Sequence, residues 1–156
     1  MPVCYALVSF AFGASFGSFI NVVADRLPTG RSIVTPRSFC ESCNRTLTTL
    51  DLLPVISYLL LRGRCRTCGA RYPARLMVVE LATGLLFAAS YVRFGPGAEF
   101  VITCVGLALM AVVFVIDTEH KLILNSIMAP SAAVLLVMSP FWNELGFTRE
   151  FLGSAT

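Results

Sequence analysis

The chain has 156 residues, of which 56% are hydrophobic and 13% are charged, with a formal net charge of +3. Soluble domains carry about 25% charged residues, so this composition excludes an ordinary soluble protein and indicates a polytopic α-helical membrane protein. Nine of the twelve Lys and Arg residues lie between positions 26 and 75. We attribute this excess to the positive-inside rule, which predicts a cytoplasmic segment, and expect no nucleic-acid partner.

The first apolar segment, residues 3–24, is long enough to cross a bilayer and lacks the basic n-region of a signal peptide. Residues 1–24 are therefore predicted to form the first transmembrane helix, with the N-terminus outside the cell. Small side chains in its middle predict close packing against another helix. These residues are Gly13, Ala14, Ser15, Gly17 and Ser18.

Residues 25–75 are predicted to form a cytoplasmic loop domain between the first two spans. Prolines and glycines interrupt it, so we expect turns and extended pieces rather than long helices. The apolar stretch 50–61 is too short to cross a bilayer. It is predicted to be a short packed or interfacial element.

Two Cys-x-x-Cys pairs lie in this loop domain, 21 residues apart, which is slightly more than the usual spacer of about 15 to 20 residues. Paired thiolates in a reducing cytoplasm predict a tetrahedral zinc site. Four sulfur ligands leave no open coordination position, so the zinc is predicted to be structural. The predicted ligands are Cys40, Cys43, Cys65 and Cys68. A redox-active protein is the weaker alternative, because no thioredoxin-like βαβ pattern surrounds the pairs.

Residues 76–156 are predicted to form the rest of a transmembrane bundle. Hydropathy predicts further segments at 76–91, at 100–116, at 122–141 and from 147 onward. A short polar loop is predicted at 117–121, on the same face as the loop domain. The predicted fold class is an all-α polytopic membrane protein with about four transmembrane helices, the start of a fifth, and a cytoplasmic zinc-binding loop domain between helices 1 and 2.

Two carboxylates in the apolar segments are candidate functional residues. Asp117 follows the apolar run 111–116 at the predicted membrane boundary, where a carboxyl group suits general acid–base catalysis. The alternative is a charge that only marks the helix end. Glu80 lies inside the second span and is either functional or a structural partner of Arg75 or of another helix. His120 is the only histidine, which disfavours Ser-His or Cys-His hydrolysis.

Several short motifs occur one after another over residues 13–90. They are Gly17-Ser18-Phe19-Ile20-Asn21-Val22, Arg26-Leu27-Pro28, the two cysteine pairs, Pro54-Val55-Ile56-Ser57-Tyr58 and Glu80-Leu81-Ala82-Thr83-Gly84. Their order and spacing resemble those of the bacterial type IV prepilin peptidases, the leader peptidases and N-methyltransferases of pilus and type II secretion systems. Two positions depart from the family pattern: Ile123-Leu124-Asn125 lacks the family's proline, and Glu41 stands where proline often follows the first cysteine.

The resemblance implies a membrane aspartic endopeptidase of the bacterial inner membrane, with its zinc loop in the cytoplasm. It implies that the enzyme removes the leader of prepilins or pseudopilins and methylates the new N-terminus with S-adenosylmethionine. Asp117 falls at the position of the family's first catalytic aspartate. No adenosylmethionine fingerprint is visible, and Gly63 and Glu80 are the first positions where we look for cofactor contacts.

The family's second catalytic aspartate stands in a Gly-x-Gly-Asp motif. The three aspartates of this chain, Asp25, Asp51 and Asp117, lie in no such motif. We therefore expect an N-terminal portion only, with little or no peptidase activity of its own. The alternative is a non-catalytic, truncated membrane scaffold whose zinc loop binds a partner from the pilus or secretion machinery.

Overall fold

The computed structural model describes residues 2–120, which form four helices. They are α1 (Pro2–Arg26), α2 (Ile56–Leu60), α3 (Arg75–Phe94) and α4 (Ala98–His120). Within these residues there is no β-strand, and two isolated antiparallel bridges occur between α1 and α3. The predicted all-α class is confirmed for this part of the chain. The predicted fourth span at 122–141 and the start of a fifth at 147 lie outside the described residues.

Three of the helices, α1, α3 and α4, are long and apolar enough to cross a membrane, judged by length and composition. The 20 residues of α3 extend about 30 Å, which is the thickness of a bilayer's hydrocarbon core. α3 ends at Phe94 and is capped by Gly95, whose φ of 68° and N–H bond to Tyr91 O (2.8 Å) close the last turn. The first three spans predicted from hydropathy are thus present, each longer than expected by a few residues.

Glycines allow α1 and α3 to approach each other closely. A Cβ atom added at Gly17 would lie 2.7 Å from Glu80 Cα, and one added at Gly13 would lie 2.7 Å from Thr83 O. Real Cβ contacts are longer than this, so only glycine permits the observed separation. Between the same two helices, Asn21 Nδ2 donates a hydrogen bond to Leu76 O at 3.1 Å. The predicted close packing of the small residues of α1 is confirmed at Gly13 and Gly17, whereas Ser15 is exposed.

α4 continues through the polar residues that follow its apolar part. The predicted loop at 117–121 is therefore wrong for residues 117–120, which are helical. Thr118 Oγ1 donates to Phe114 O and to Val115 O, both at 2.9 Å, within this last part. Hydropathy marks where the side chains become polar, whereas helical backbone hydrogen bonds continue past the edge of the hydrocarbon. A 23-residue helix is about 35 Å long, which exceeds the hydrocarbon thickness of about 30 Å.

Candidate metal centre and adjoining cavity

Each Cys-x-x-Cys pair lies in a tight turn, and the two turns share one hydrogen-bond pattern. In the first turn, Cys40 N donates to Arg45 O at 2.9 Å, and Cys40 O accepts from Asn44 N at 2.8 Å. In the second turn, Cys65 N donates to Ala70 O at 2.8 Å, and Cys65 O accepts from Gly69 N at 3.0 Å. The fourth residue after each first cysteine is left-handed, with φ of 54° at Asn44 and 71° at Gly69. The sequence interpretation missed this equivalence, although Asn and Gly at matching positions are its signal.

The turns bring the four predicted ligands together. Cys40 Sγ lies 3.7 Å from Cys68 Sγ, Cys43 Sγ lies 4.0 Å from Cys65 Sγ, and all four sulfurs lie within 4.8 Å of one another. A tetrahedral zinc ion with bonds of about 2.3 Å separates its sulfur ligands by about 3.8 Å. The cluster can therefore hold a metal ion, and its geometry and soft donor set are consistent with zinc.

Backbone amides make one sulfur of each pair unusually acidic. The N–H groups of Cys68 and Thr67 lower the pKa of the Cys65 thiol to about 6, although burial opposes the shift. The N–H groups of Cys43 and Ser42 likewise lower the pKa of the Cys40 thiol. The amide of Ala70 lowers the pKa of Cys68, but burial and the other three cysteines outweigh it and raise that pKa to about 11. Metals bind the thiolate form, so the acidic cysteines favour metal capture.

Asp51 joins the two turns through ion pairs. Its Oδ2 pairs with Arg45, which follows the first cysteine pair, and its Oδ1 lies 3.1 Å from Nε of Arg66, inside the second pair. The Asp51 side chain is only 4% exposed. Burial raises the pKa of Asp51, but hydrogen bonds from Thr48 and the charges of Arg45 and Arg66 outweigh it and hold that pKa below its usual value. The carboxylate therefore stays charged and fixes the turns relative to each other.

The two positions considered for cofactor contacts, Gly63 and Glu80, both have structural partners. Glu80 Oε2 accepts a hydrogen bond from Val55 N at 2.8 Å, and Val55 has a φ of 61°. Gly63 has a φ of 64°, and a Cβ atom there would lie 2.6 Å from the Tyr58 ring. The ion pair between Glu80 and Arg75 that the sequence left open does not form. A role in cofactor binding for either residue stays a prediction.

Arg75 joins the ends of the three long helices. At the start of α3, its Nη2 lies 2.5 Å from Asp25 Oδ1 of α1, and its Nε lies 3.2 Å from Glu119 Oε1 of α4. Asp117 is two residues before Glu119, and its side chain is exposed. The structure therefore places Asp117 at the end of the bundle where α3 begins.

A cavity of about 640 Å³ lies between the loop domain and this end of the bundle, within the usual size range of about 300 to 1,000 Å³ for ligand sites. Its walls include the carboxylates of Asp25, Glu80 and Glu119. Arginines from the loop domain and α3 also line it: Arg31, Arg45, Arg64, Arg66, Arg71 and Arg75. Charges of both signs therefore face one space.

These features define a helical membrane protein with three candidate spans and a four-cysteine cluster able to hold a metal ion. Residues 11–94 match the family model of the bacterial peptidase A24 N-terminal domain. The chain belongs to this family, and the resemblance seen in its motifs is confirmed.

Three relatives share the name prepilin leader peptidase/N-methyltransferase. The one from Bacillus subtilis (strain 168) is 38% identical over 136 residues, covering 85% of this chain and 55% of the relative. The one from Myxococcus xanthus (strain DK1622) is 41% identical over 151 residues, covering 97% and 45%. The one from Klebsiella pneumoniae is 33% identical over 135 residues, covering 83% and 59%. The chain thus spans about half the length of the curated relatives it matches. No solved structure shows a significant match.

Proposed function

We propose that this chain carries the metal-binding loop and the first catalytic aspartate of a membrane aspartic endopeptidase and N-methyltransferase. The proposed substrate is a type IV prepilin or pseudopilin. The observation that carries the proposal is the identity of 33 to 41%, over 83 to 97% of the chain, to three relatives that bear the prepilin leader peptidase/N-methyltransferase name.

In the proposed peptidase reaction, Asp117 is one of two carboxyl groups that share a proton. One carboxylate removes a proton from the attacking water, and the other carboxyl group donates a proton to the scissile carbonyl or the leaving amine. The exposed position of Asp117, near the end of a span, suits a substrate cut where its helix leaves the bilayer. Since Asp25 and Asp51 are held in ion pairs elsewhere, we propose that these 156 residues alone have little or no peptidase activity.

For methyl transfer, the proposed site is the cavity above the bundle. S-adenosylmethionine, when bound, supplies an electrophilic methyl group. The volume of the cavity suits such a molecule. The carboxylates of Asp25, Glu80 and Glu119 can attract its cationic groups or the substrate's amine, and Arg31 and Arg71 can bind its carboxylate. The loop domain closes one side of this space and limits the access of water.

The proposed metal is zinc, and its proposed role is structural. Cys40, Cys43, Cys65 and Cys68 would complete a tetrahedral set and leave no position for water or substrate. The ion would tie together two turns that Asp51 already joins. It would thereby keep the wall of the cavity in place.

The proposed location is the bacterial inner membrane, with the N-terminus outside and the loop domain in the cytoplasm. The concentration of nine of the twelve basic residues between positions 26 and 75 supports this orientation. A prepilin leader in the cytoplasm would then meet Asp117 and the cavity on the same side of the bilayer.

Mass spectrometry of a prepilin incubated with membranes that contain the full reading frame of this protein tests the proposal. We expect two separate changes: loss of the leader, and the mass of one added methylene at the new N-terminus. The second change should require S-adenosylmethionine and the first should not. If neither change occurs, the proposal fails and the scaffold alternative takes its place.

A further inference from the structure

The short helix α2 has an apolar face that the described part of the protein leaves uncovered. Ile56, Leu59 and Leu60 occupy positions i, i+3 and i+4 of the helix, which lie on one face, and they are 54, 60 and 77% exposed. We name these three residues the α2 apolar face. The other side of the helix contacts protein, where Tyr58 Oη donates to Tyr72 O at 3.4 Å. Further exposed leucines precede the helix: Leu50, Leu52 and Leu53.

A hydrogen bond to α3, a candidate membrane span, fixes the position of α2 along that helix. Val55, the residue before α2, donates its N–H to Glu80 Oε2 at 2.8 Å. Glu80 lies five residues after Arg75, the first residue of α3, which is about 7.5 Å along the helix axis. The start of α2 therefore lies beside the first turns of a candidate membrane span rather than beyond its end.

The charged residues that follow α2 in the sequence are basic as far as position 79. Arg62 and Arg64 lie two and four residues after the end of the helix, and both are exposed. The sequence contains no Asp or Glu between positions 52 and 79. An apolar face bordered by basic side chains is the pattern that binds anionic phospholipid surfaces.

We propose that the α2 apolar face inserts into the lipid leaflet that surrounds the N-terminal end of α3. Arg62 and Arg64 bind the phosphates of anionic phospholipids beside it. The bilayer then restrains the α2 side of the loop domain, while Asp51 and the cysteine cluster stabilise its two cysteine turns. This role does not depend on peptidase or methyltransferase activity.

Fluorescence quenching by brominated lipids tests the proposal on the whole chain in nanodiscs of mixed zwitterionic and anionic phospholipid. The only tryptophan is Trp142, and Trp142→Phe gives a silent background. In this background, we expect Leu60→Trp to show blue-shifted emission and to lose roughly half of it or more when the acyl chains carry bromine. Ser42→Trp, at an exposed polar position of the first cysteine turn, is the matched control and should lose little.

Leu59→Trp repeats the measurement at the neighbouring position if Leu60→Trp fails to retain its metal. Emission typical of water and unchanged by bromine would overturn the proposal. Blue-shifted emission without quenching would also overturn it, since the face would then be covered by residues 121–156 or by a second copy of the chain. Arg62→Gln with Arg64→Gln should reduce the quenching in anionic but not in zwitterionic nanodiscs. Equal quenching in both would refute the role of the two arginines.

Discussion

Arg75, the first residue of α3, forms an ion pair with Glu119, near the end of α4, with Nε 3.2 Å from Oε1. Glu119 follows Asp117 by two positions, so this pair connects the candidate catalytic end of α4 to the helix that leaves the loop domain. The same guanidinium group pairs with Asp25 at the end of α1. One side chain thus fixes the relative position of three helix ends.

We predict that Arg75→Gln weakens the bundle modestly. Asp25 and Glu119 are both about half exposed, and pairs of this kind each contribute up to about 1 kcal/mol. The free energy of unfolding in detergent should therefore fall by up to about 2 kcal/mol. Arg37→Gln, at an exposed position of the same domain, should change it by less than about 0.5 kcal/mol. Equal effects of the two substitutions would show that the ion pairs contribute nothing.

Gly17→Ala should disturb the contact between α1 and α3. The new methyl group would lie 2.7 Å from Glu80 Cα, which forces the helices apart at a cost of about 1 to 3 kcal/mol. Gly106→Ala is the matched control in α4, because a Cβ there meets no atom of the described residues within 4 Å. It should be neutral or stabilise the protein by up to about 1 kcal/mol. Denaturant unfolding of both variants in the same detergent measures the difference, and a neutral Gly17→Ala would contradict the close approach.

Cys65→Ser should abolish stable zinc binding. One of four thiolate ligands is lost, so the zinc content of the purified protein should fall from about one ion per chain to nearly none. Cys4→Ser is the same substitution in α1, outside the cluster, and should leave the zinc content unchanged. Because protons compete with the metal for thiolates, zinc should be released as the pH falls. Equal zinc content in the two variants would exclude the cluster as the metal site.

Glu80→Gln and Glu80→Ala should differ in folding stability if the side chain of Glu80 serves mainly as a hydrogen-bond acceptor. Glutamine keeps an oxygen that can accept from Val55 N, so the fold should be retained. Alanine leaves this amide unpaired, which costs about 1 to 3 kcal/mol. Hydrogen exchange at the Val55 amide should be slow in the wild type and in Glu80→Gln but fast in Glu80→Ala. Intact folding of Glu80→Gln with loss of methyl transfer would instead assign the charge of Glu80 to the cofactor or substrate.

The spans and the metal cluster could be predicted because their signals are local. Hydropathy located α1, α3 and α4, since about 20 apolar residues suffice to identify a membrane-crossing helix. The spacing of the cysteines predicted that the four sulfur atoms lie together, because two Cys-x-x-Cys pairs most often bind one metal ion. The end of α4 was predicted too early, because hydropathy reports side-chain polarity and not backbone hydrogen bonds.

The side-chain pairings could not be predicted because they join distant parts of the chain. Arg75 meets Asp25 across 50 positions, and Val55 meets Glu80 across 25. No sequence period relates such positions, and each pairing depends on how helices and turns pack. The position of α2 beside α3 could likewise not be predicted, because it depends on the bond between Val55 and Glu80.

The most direct test of the account is prepilin cleavage by the full reading frame that contains this chain, with Asp117→Asn compared with the wild type. Asparagine keeps the shape of the side chain and removes its titratable proton. Glu99→Gln, in the first turn of the same helix, is the matched control. The account predicts that Asp117→Asn abolishes cleavage while zinc content and folding persist, and that Glu99→Gln cleaves normally. Cleavage by Asp117→Asn at the wild-type rate would contradict the assignment of Asp117 as a catalytic aspartate.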